Sequence, residues 1–313
     1  MKYLRYGLLA VLLATGLFTV LNWKSELSLE QLEAEFINEY SRWIEVEGHL
    51  THYRIQGSGT PLILIHGTSA SLHTWDDWVD LALASSLDLQ IIRLDMPGFG
   101  LTGAMDDFDY TLPQYAGFLK SFLDQMGLDS VLLAGNSLGA EISWEFASSW
   151  PQQVKALNLI NSAGYPPQDN ITLAFKMART PGANVLMTRV TPTNLIRKSL
   201  EEVYFDDELV SKELVQRYLS LQRRAGNRAA FVKRMNAPDD DRTDRLGQIT
   251  APTLITWGEA DEWIPVGDCD RYAAAIPDAV CQRLSAGHVP HEESPEASWE
   301  LFENFLQQRF PDM

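Results

Sequence analysis

The chain has 313 residues, of which 45% are hydrophobic and 21% are charged, a composition that excludes an intrinsically disordered protein. Its formal net charge of −17 argues against a nucleic-acid partner, which would require a basic surface. The length allows one large domain with an insertion, or two modest domains.

The N-terminus carries an uncharged and mostly apolar run, residues 6–23. About 17–25 such residues cross a bilayer as a helix, so residues 1–23 are predicted to form a transmembrane signal anchor. Residues 24–42 are polar and are predicted to be a connector. Basic residues precede the run and acidic residues follow it, which predicts that the rest of the chain lies outside the cytoplasm, in the periplasm of a bacterium. The alternative is a cleaved signal peptide and a secreted protein.

From residue 43 onwards, short apolar runs alternate with segments of helical spacing. The runs PLILIHG, LQIIRLDMPGFG, SVLLAGN, VKALNLIN and PTLITWGE are typical of strands buried on both faces. Alternating strands and helices form a mostly parallel, twisted sheet with helices on both faces. Residues 43–163 and 247–313 are therefore predicted to form one α/β core.

Residues 164–246 break the alternation, because they contain only helical patterns, and they are predicted to form a helical cap. Their apolar positions either line an acyl pocket or bury the cap against the core, and the sequence leaves both open. These positions are Leu173, Phe175, Met177, Leu186, Met187, Leu195 and Ile196. A group of basic residues is interpreted as a solvated helix face rather than a specific anion site. They are Arg197, Lys198, Arg223, Arg224 and Arg228.

The stretch from Gly135 to Gly139 places Ser137 directly between a predicted strand and a predicted helix. A serine at such a turn, on the carboxyl edge of a parallel sheet, exposes its hydroxyl as a nucleophile. The backbone amide of Leu138 would then be one donor of an oxyanion hole, and Thr68, in the turn after LILIHG, would supply the second. The flanking glycines permit the strained turn and a close approach of helix and strand.

A serine nucleophile needs a histidine base held by a carboxylate. His288 directly follows the last predicted strand and is the predicted base, whereas His291, further along the loop, is assigned to hydrogen bonding or packing. Asp261 lies centrally in the turn of LITWGEADEWIP and is the predicted acid. The neighbouring strand end offers Asn161 and no acid. The resulting order of serine, aspartate and histidine fits this architecture.

Five motifs together resemble the α/β-hydrolase superfamily: HGTSAS, DMPGFG, GNSLG, WGEADEWIP and GHVPHEESPE. The resemblance covers roughly residues 43–313. It implies a Ser137–Asp261–His288 triad, an oxyanion hole of the Thr68 and Leu138 amides, and no metal or organic cofactor.

Within the superfamily, the chain most resembles capped serine esterases and hydrolases that cleave C–C bonds in ring-fission products. The predicted function is hydrolysis of a small-molecule ester, with an apolar acyl or alcohol part, through an acyl-enzyme. The alternatives are a C–C bond hydrolase, a proline iminopeptidase-like peptidase and, in a different class, a non-catalytic ligand-binding module.

The two cysteines, Cys269 and Cys281, flank the last helix–strand turn and are too few for a cysteine-based metal site. A helix packed on a sheet holds its backbone roughly 8–10 Å away, beyond the roughly 4.4–6.8 Å that a disulfide tolerates. The sequence therefore does not predict a disulfide between them and leaves the question open.

Overall fold

The computed structural model describes residue 6 and residues 16–17, 19–166, 172–238 and 240–313. Within these ranges, eight strands form one sheet in the order β1-β2-β4-β3-β5-β6-β7-β8. The hairpin β1–β2 and the pair β2–β4 are antiparallel, and all other neighbouring strands are parallel. The strands are β1 (Ser41–Val46), β2 (His49–Gly57), β3 (Thr60–Ile65), β4 (Leu89–Leu94), β5 (Val131–Asn136), β6 (Val154–Ile160), β7 (Thr253–Gly258) and β8 (Ala279–Leu284).

Helices cover both faces of the sheet and bury its central strands. On one face, a large apolar layer includes residues of α3 (Leu112–Gln125), α4 (Leu138–Ser149) and α10 (Gly267–Ala275). On the other face, α2 (Asp76–Ala84) and α12 (Pro295–Arg309) form a second layer, and the short helix α11 (Pro290–Glu293) directly precedes α12. Every residue of β5 is buried, as expected for a strand covered on both sides. The predicted fold class, a mostly parallel sheet with helices on both faces, is confirmed.

Between β6 and β7, the described part of the chain is helical, and we call residues 172–238 the helical insertion. Its helices are α5 (Leu173–Arg179), α6 (Ala183–Met187), α7 (Thr193–Glu201), α8 (Lys212–Gln222) and α9 (Asn227–Asn236). Part of this insertion has an apolar cluster of its own, which includes Ile196, Leu200 and Val215 and also contacts Val289 of the core. The domain boundaries drawn from the sequence stay predictions.

The predicted membrane anchoring, with the catalytic domain outside the cytoplasm, is corrected here. In the part of the chain that the structure describes, no helix combines the length and the apolar character needed to cross a bilayer. Most of the segment on which that prediction depended, residues 1–23, lies outside the described residues. The end of this segment and the start of the connector contact the helical insertion, since Trp23 pairs with Val190 and the Lys24 amide donates to the Arg189 carbonyl at 2.9 Å.

The connector also contains the first helix described at full length, α1 (Leu29–Phe36). Ser28 and Gln31 form a capping box at its start, which satisfies backbone donors that a helix N-terminus leaves free. The buried side chains of Leu32 and Phe36 pack with Leu101 of the core. The apolar side chains of α1 therefore hold the segment before β1 against the core.

A disulfide joins Cys269 and Cys281, which the sequence did not predict. Cys269 lies in the first turn of α10, and Cys281 lies in β8, the edge strand that follows that helix. Their Cα atoms are 5.7 Å apart, within the usual range for a disulfide. The predicted backbone distance between Cys269 and Cys281 was too long, because the first turn of α10 comes closer to the sheet edge than a helix lying flat on a sheet would.

Candidate active site

Ser137 lies in a strained turn between β5 and α4, with a φ of 54° and a ψ of −118°. Two glycines make this turn possible. A Cβ added at Gly139 would lie 2.1 Å from the carbonyl oxygen of Ile65, and one at Gly135 would lie 2.3 Å from the backbone of Gly139. Only residues without a side chain allow the helix to begin so close to the sheet. This packing holds Ser137 on the wall of a cavity.

His288 and Asp261 meet at the same edge of the sheet. Nδ1 of His288 lies 2.8 Å from Oδ2 of Asp261, and both side chains are buried. The other carboxylate oxygen of Asp261 accepts hydrogen bonds from the amides of Trp263, at 2.8 Å, and Ile264, at 3.0 Å. These bonds fix the carboxylate and, through it, the imidazole ring.

The remaining nitrogen of His288, Nε2, is buried and has no hydrogen-bond partner among the described residues. His288 lines the same cavity as Ser137. Burial alone would raise the pKa of Asp261, but the charge and hydrogen bond of His288, with the other bonds to the carboxylate, hold that pKa below its ordinary value. The carboxylate is thus ionised at neutral pH, which keeps the proton of a neutral His288 on Nδ1 and leaves Nε2 as an acceptor.

Two asparagines that sequence reasoning did not select hold these groups in place. Nδ2 of Asn161 donates to Oδ2 of Asp261 at 2.6 Å, and its Oδ1 accepts from the Gly258 amide at 3.0 Å. Nδ2 of Asn136 donates to the backbone carbonyl of His288 at 2.9 Å. Both follow the signal that marks site residues in this fold, a polar side chain at or just after the carboxyl end of a buried strand.

The predicted oxyanion donors lie on either side of Ser137. Leu138 is the first residue of α4, and Thr68 lies on the cavity wall, one residue after Gly67. A Cβ at Gly67 would lie 3.2 Å from the Cβ of Ser137, so this turn is adjacent to the serine. Among the described residues, neither the Thr68 amide nor the Leu138 amide donates to another group. Both are therefore available to a ligand.

A buried carboxylate supports the two loops beside this site. Asp95 accepts from the Leu72 amide and from the Leu101 amide, both at 2.9 Å, and its Oδ2 lies 2.8 Å from Nδ1 of His52. Burial alone would raise the pKa of Asp95, but the hydrogen bond and charge of His52 hold it below its ordinary value. Asp95 thus connects the 3-10 helix that begins at Leu72, shortly after the turn of Thr68, to the glycine-rich loop at Leu101.

The cavity has a volume of about 130 Å³ and is mostly apolar. Four of the seven apolar positions that the sequence offered line it: Phe175, Met187, Leu195 and Ile196. Leu173, by contrast, is exposed. Of the basic residues interpreted as a solvated face, Arg228 instead lines the cavity and is buried.

The loop that carries His288 is attached to the helical insertion. The His288 amide donates to the Val203 carbonyl at 2.7 Å. Glu293 accepts from the Gly287 amide at 2.7 Å through one oxygen and from the Phe205 amide at 3.0 Å through the other. The insertion thus holds the backbone on both sides of this histidine.

His291 occupies a different environment from His288. Its buried ring packs on Trp75, with ring centres 4.2 Å apart. Burial, together with the smaller effect of the nearby His288 charge, lowers the pKa of His291 to about 3. Because His291 does not line the cavity, the geometry gives it no contact with a substrate.

The chain belongs to the α/β-hydrolase fold family, whose sequence profile matches residues 60–295. This confirms the resemblance stated from the motifs. The chain is similar to a 2-hydroxy-6-oxo-2,4-heptadienoate hydrolase of Pseudomonas putida, with 28% identity over 73% of this chain and 82% of the relative. It is also similar to a 2-hydroxy-6-oxo-6-phenylhexa-2,4-dienoate hydrolase of Burkholderia cepacia, with 26% identity over 83% of this chain and 93% of the relative.

Solved structures agree on the fold. A membrane phospholipase A, described as a bacterial virulence factor, superimposes with a TM-score of 0.72 at 23% identity, covering 99% of both chains. A meta-cleavage product hydrolase of Pseudomonas fluorescens gives a TM-score of 0.72 at 22% identity, covering 85% of this chain and 97% of its own. At such identities, these likenesses establish the shared fold alone.

Proposed function

We propose that this hydrolase cleaves a carbon–carbon bond next to a ketone carbonyl, in a small substrate of the 2-hydroxy-6-oxo-dienoate type. The observation that carries the chemistry is the unpartnered Nε2 of His288, buried on the wall of the cavity that Ser137 also lines. The choice of bond rests on the relatives, which are named for hydrolysis of such dienoates. These names favour the C–C hydrolase alternative over the ester hydrolysis first predicted from the sequence.

In the proposed reaction, Oγ of Ser137 attacks the ketone carbon while Nε2 of His288 takes the hydroxyl proton. Asp261 holds the imidazole in the required tautomer and stabilises the positive charge that it acquires. The amides of Thr68 and Leu138 stabilise the negative charge on the carbonyl oxygen.

The C–C bond then breaks, and its electron pair passes to the leaving carbon, which takes the proton from His288. A water molecule, deprotonated by His288, attacks the acyl-enzyme and releases a carboxylic acid, and the proton returns to Ser137. In sum, one water is consumed: its hydroxyl ends on the carbonyl carbon and its hydrogen on the leaving carbon. Before this cleavage, the 2-hydroxy-dienoate has to tautomerise to its 2-oxo form, which moves the hydroxyl proton to the leaving carbon and makes that carbon saturated. The electron pair released on it is then delocalised through the remaining double bond onto the 2-oxo group, which makes this carbon an acceptable leaving group.

Ester hydrolysis is the second candidate, and the apolar cavity lining favours it. Phe175, Met187 and Leu195 offer a surface on which an acyl chain can bury its methylene groups. The same residues would carry the same steps, with an alkoxide instead of a carbon as the leaving group. The two candidates therefore differ in substrate and not in machinery.

The test uses the full-length protein with three chromogenic substrates: 2-hydroxy-6-oxo-6-phenylhexa-2,4-dienoate, a 4-nitrophenyl butanoate ester and a prolyl 4-nitroanilide. We expect the highest kcat/KM for the dienoate. Ser137→Ala should reduce kcat at least about 10³-fold, because nucleophile and base act as a unit. Ser121→Ala, which removes a hydroxyl from α3, is the matched control and should leave kcat unchanged.

Ester cleavage without dienoate cleavage would replace the proposal with the second candidate. Rapid cleavage of the anilide alone would establish a peptidase instead. Full activity of Ser137→Ala on every substrate would remove Ser137 from the mechanism.

A further inference from the structure

Arg228, in the first turn of α9, presents an open edge of its guanidinium group inside the protein. The residue is only 5% exposed and lines the same cavity as Ser137. Its Nη1 donates to Oγ1 of Thr191 at 3.2 Å. Nε and Nη2 are buried and have no hydrogen-bond partner among the described residues.

The two open nitrogens belong to one edge of the guanidinium. The N–H bonds of Nε and Nη2 point in the same direction, at the spacing of two oxygens of a carboxylate or a phosphate. Thr191 orients the group by occupying the opposite side. A buried donor without an acceptor is costly, and a charged one more so, which makes this edge a binding site for an anion that enters the cavity.

The charges around Arg228 favour the same ligand. Arg189 and Arg223 influence it as neighbouring positive charges, and Glu26 as a negative one. Glu26 is already engaged, since its Oε1 lies 3.0 Å from Nη1 of Arg189 and accepts from the Gly226 amide at 3.3 Å. Three positive groups and one negative group leave a local charge of +2, in a chain whose net charge is −17.

We propose that Arg228 forms an anion-binding subsite of the substrate cavity, which receives a carboxylate or phosphate group of the substrate. The guanidinium edge anchors the charged end, so that the carbonyl carbon reaches Ser137 in a defined register. The placement of the carbonyl carbon at Ser137 rests on the proposed function, whereas the binding of the anion does not.

A binding measurement tests the subsite without turnover. Ser137→Ala protein is titrated by calorimetry with pentanedioate and, separately, with inorganic phosphate. Adding Arg228→Met to this protein should raise the Kd of the tighter-binding anion about 10- to 100-fold, the usual effect of losing hydrogen bonds to a charged group. Lys233→Met, which removes an exposed positive charge from the same helix, is the control and should change the affinity less than about 2-fold. The preferred ligand identifies carboxylate or phosphate as the recognised group.

A kinetic measurement tests the role of the subsite in specificity. The wild-type protein and Arg228→Met are compared on two substrates, 4-nitrophenyl butanoate and the mono-4-nitrophenyl ester of pentanedioic acid. Both esters have the same leaving group, but the acyl chain is neutral in the first and carries a carboxylate in the second. The ratio of anionic to neutral kcat/KM should fall about 10- to 100-fold in the variant. Arg228→Lys, which keeps the charge but lacks the two-pronged edge, should give an intermediate ratio and covers the case in which the methionine variant does not fold.

Equal anion affinity in the Ser137→Ala protein with and without Arg228→Met would overturn the subsite, as would the absence of measurable binding of either anion. Anion binding that depends on Arg228, in a protein that hydrolyses no substrate of the panel, would support the subsite and reject the proposed function. The two failures are thereby separated.

Discussion

Replacing Gly139 with alanine tests whether the close approach of α4 to β3 holds Ser137 in position. The added Cβ would lie 2.1 Å from the Ile65 carbonyl oxygen and 2.6 Å from that of His66. Both are backbone atoms, so neither can rotate away, and the start of α4 has to move by about 1 Å to reach ordinary contact distance.

The expected magnitude follows from two opposing effects. Overpacking of this kind costs about 1–3 kcal/mol, and sometimes more. Alanine is a better helix former than glycine by about 1 kcal/mol, which offsets part of that cost. We therefore expect the free energy of unfolding to fall by about 0–2 kcal/mol. Activity should fall more steeply, about 100-fold in kcat, because a displacement of about 1 Å moves both Ser137 and the Leu138 amide.

The matched control is Gly117→Ala in α3, where an added Cβ meets no atom within 4 Å. Here only the helix propensity acts, so the free energy of unfolding should rise by about 0.5–1 kcal/mol with kcat unchanged. Urea unfolding monitored by tryptophan fluorescence gives the stabilities, and steady-state kinetics give kcat. If Gly139→Ala unfolds at the same urea concentration as Gly117→Ala and keeps full activity, the close approach is not what positions the serine.

Three further changes probe other parts of the structure. Asn161→Ala removes the donor 2.6 Å from Asp261, so kcat should fall about 10-fold or more with unchanged circular dichroism. The pKa of His291 is lowered to about 3, so this residue makes the free energy of unfolding fall by about 1.4 kcal/mol per pH unit as the pH drops below about 6.5. His291→Phe should make that fall shallower in urea titrations at pH 5 and pH 7, and an unchanged pH dependence would contradict the assignment. Reducing the Cys269–Cys281 disulfide, which spans 12 residues, should lower the free energy of unfolding by about 2–3 kcal/mol, and a thermal melt unaffected by reductant would refute this.

The sheet and the turn at Ser137 were predictable because local sequence determines them. The strand before Ser137 is apolar at nearly every position, and Gly135 and Gly139 allow the tight turn and the close approach of helix and strand. Both signals lie within about ten residues of sequence, so a local pattern is enough to detect them. The alternation of strands and helices predicts a mostly parallel sheet, whereas the order of the strands is known only from the structure. Ser137 and Asp261 each follow a buried strand, and His288 follows the edge strand β8. The carboxyl ends of parallel strands meet at one edge of the sheet, so the sequence could place the three residues there.

The features that the sequence missed depend on contacts between distant segments. Asn161 holds Asp261 across 100 residues of chain, and nothing local distinguishes it from any polar residue after a strand. Arg228 belongs to a basic group whose spacing resembles a solvated helix face, and only the packing of α9 on the core directs its side chain inward. The spacing of Cys269 and Cys281 was misjudged because an average helix-to-sheet distance does not apply to the first turn of a helix.

The attachment of the histidine loop to the helical insertion limits how such a chain can diversify. The Val203 carbonyl and the Phe205 amide bond to the loop at His288 and Glu293, while other residues of the same insertion line the cavity. A substitution that reshapes the insertion for a new substrate therefore also displaces the histidine backbone. Substrate preference and turnover are therefore coupled through the insertion. A change of substrate preference requires compensating substitutions around residues 203–206 that restore the position of the histidine and, with it, turnover.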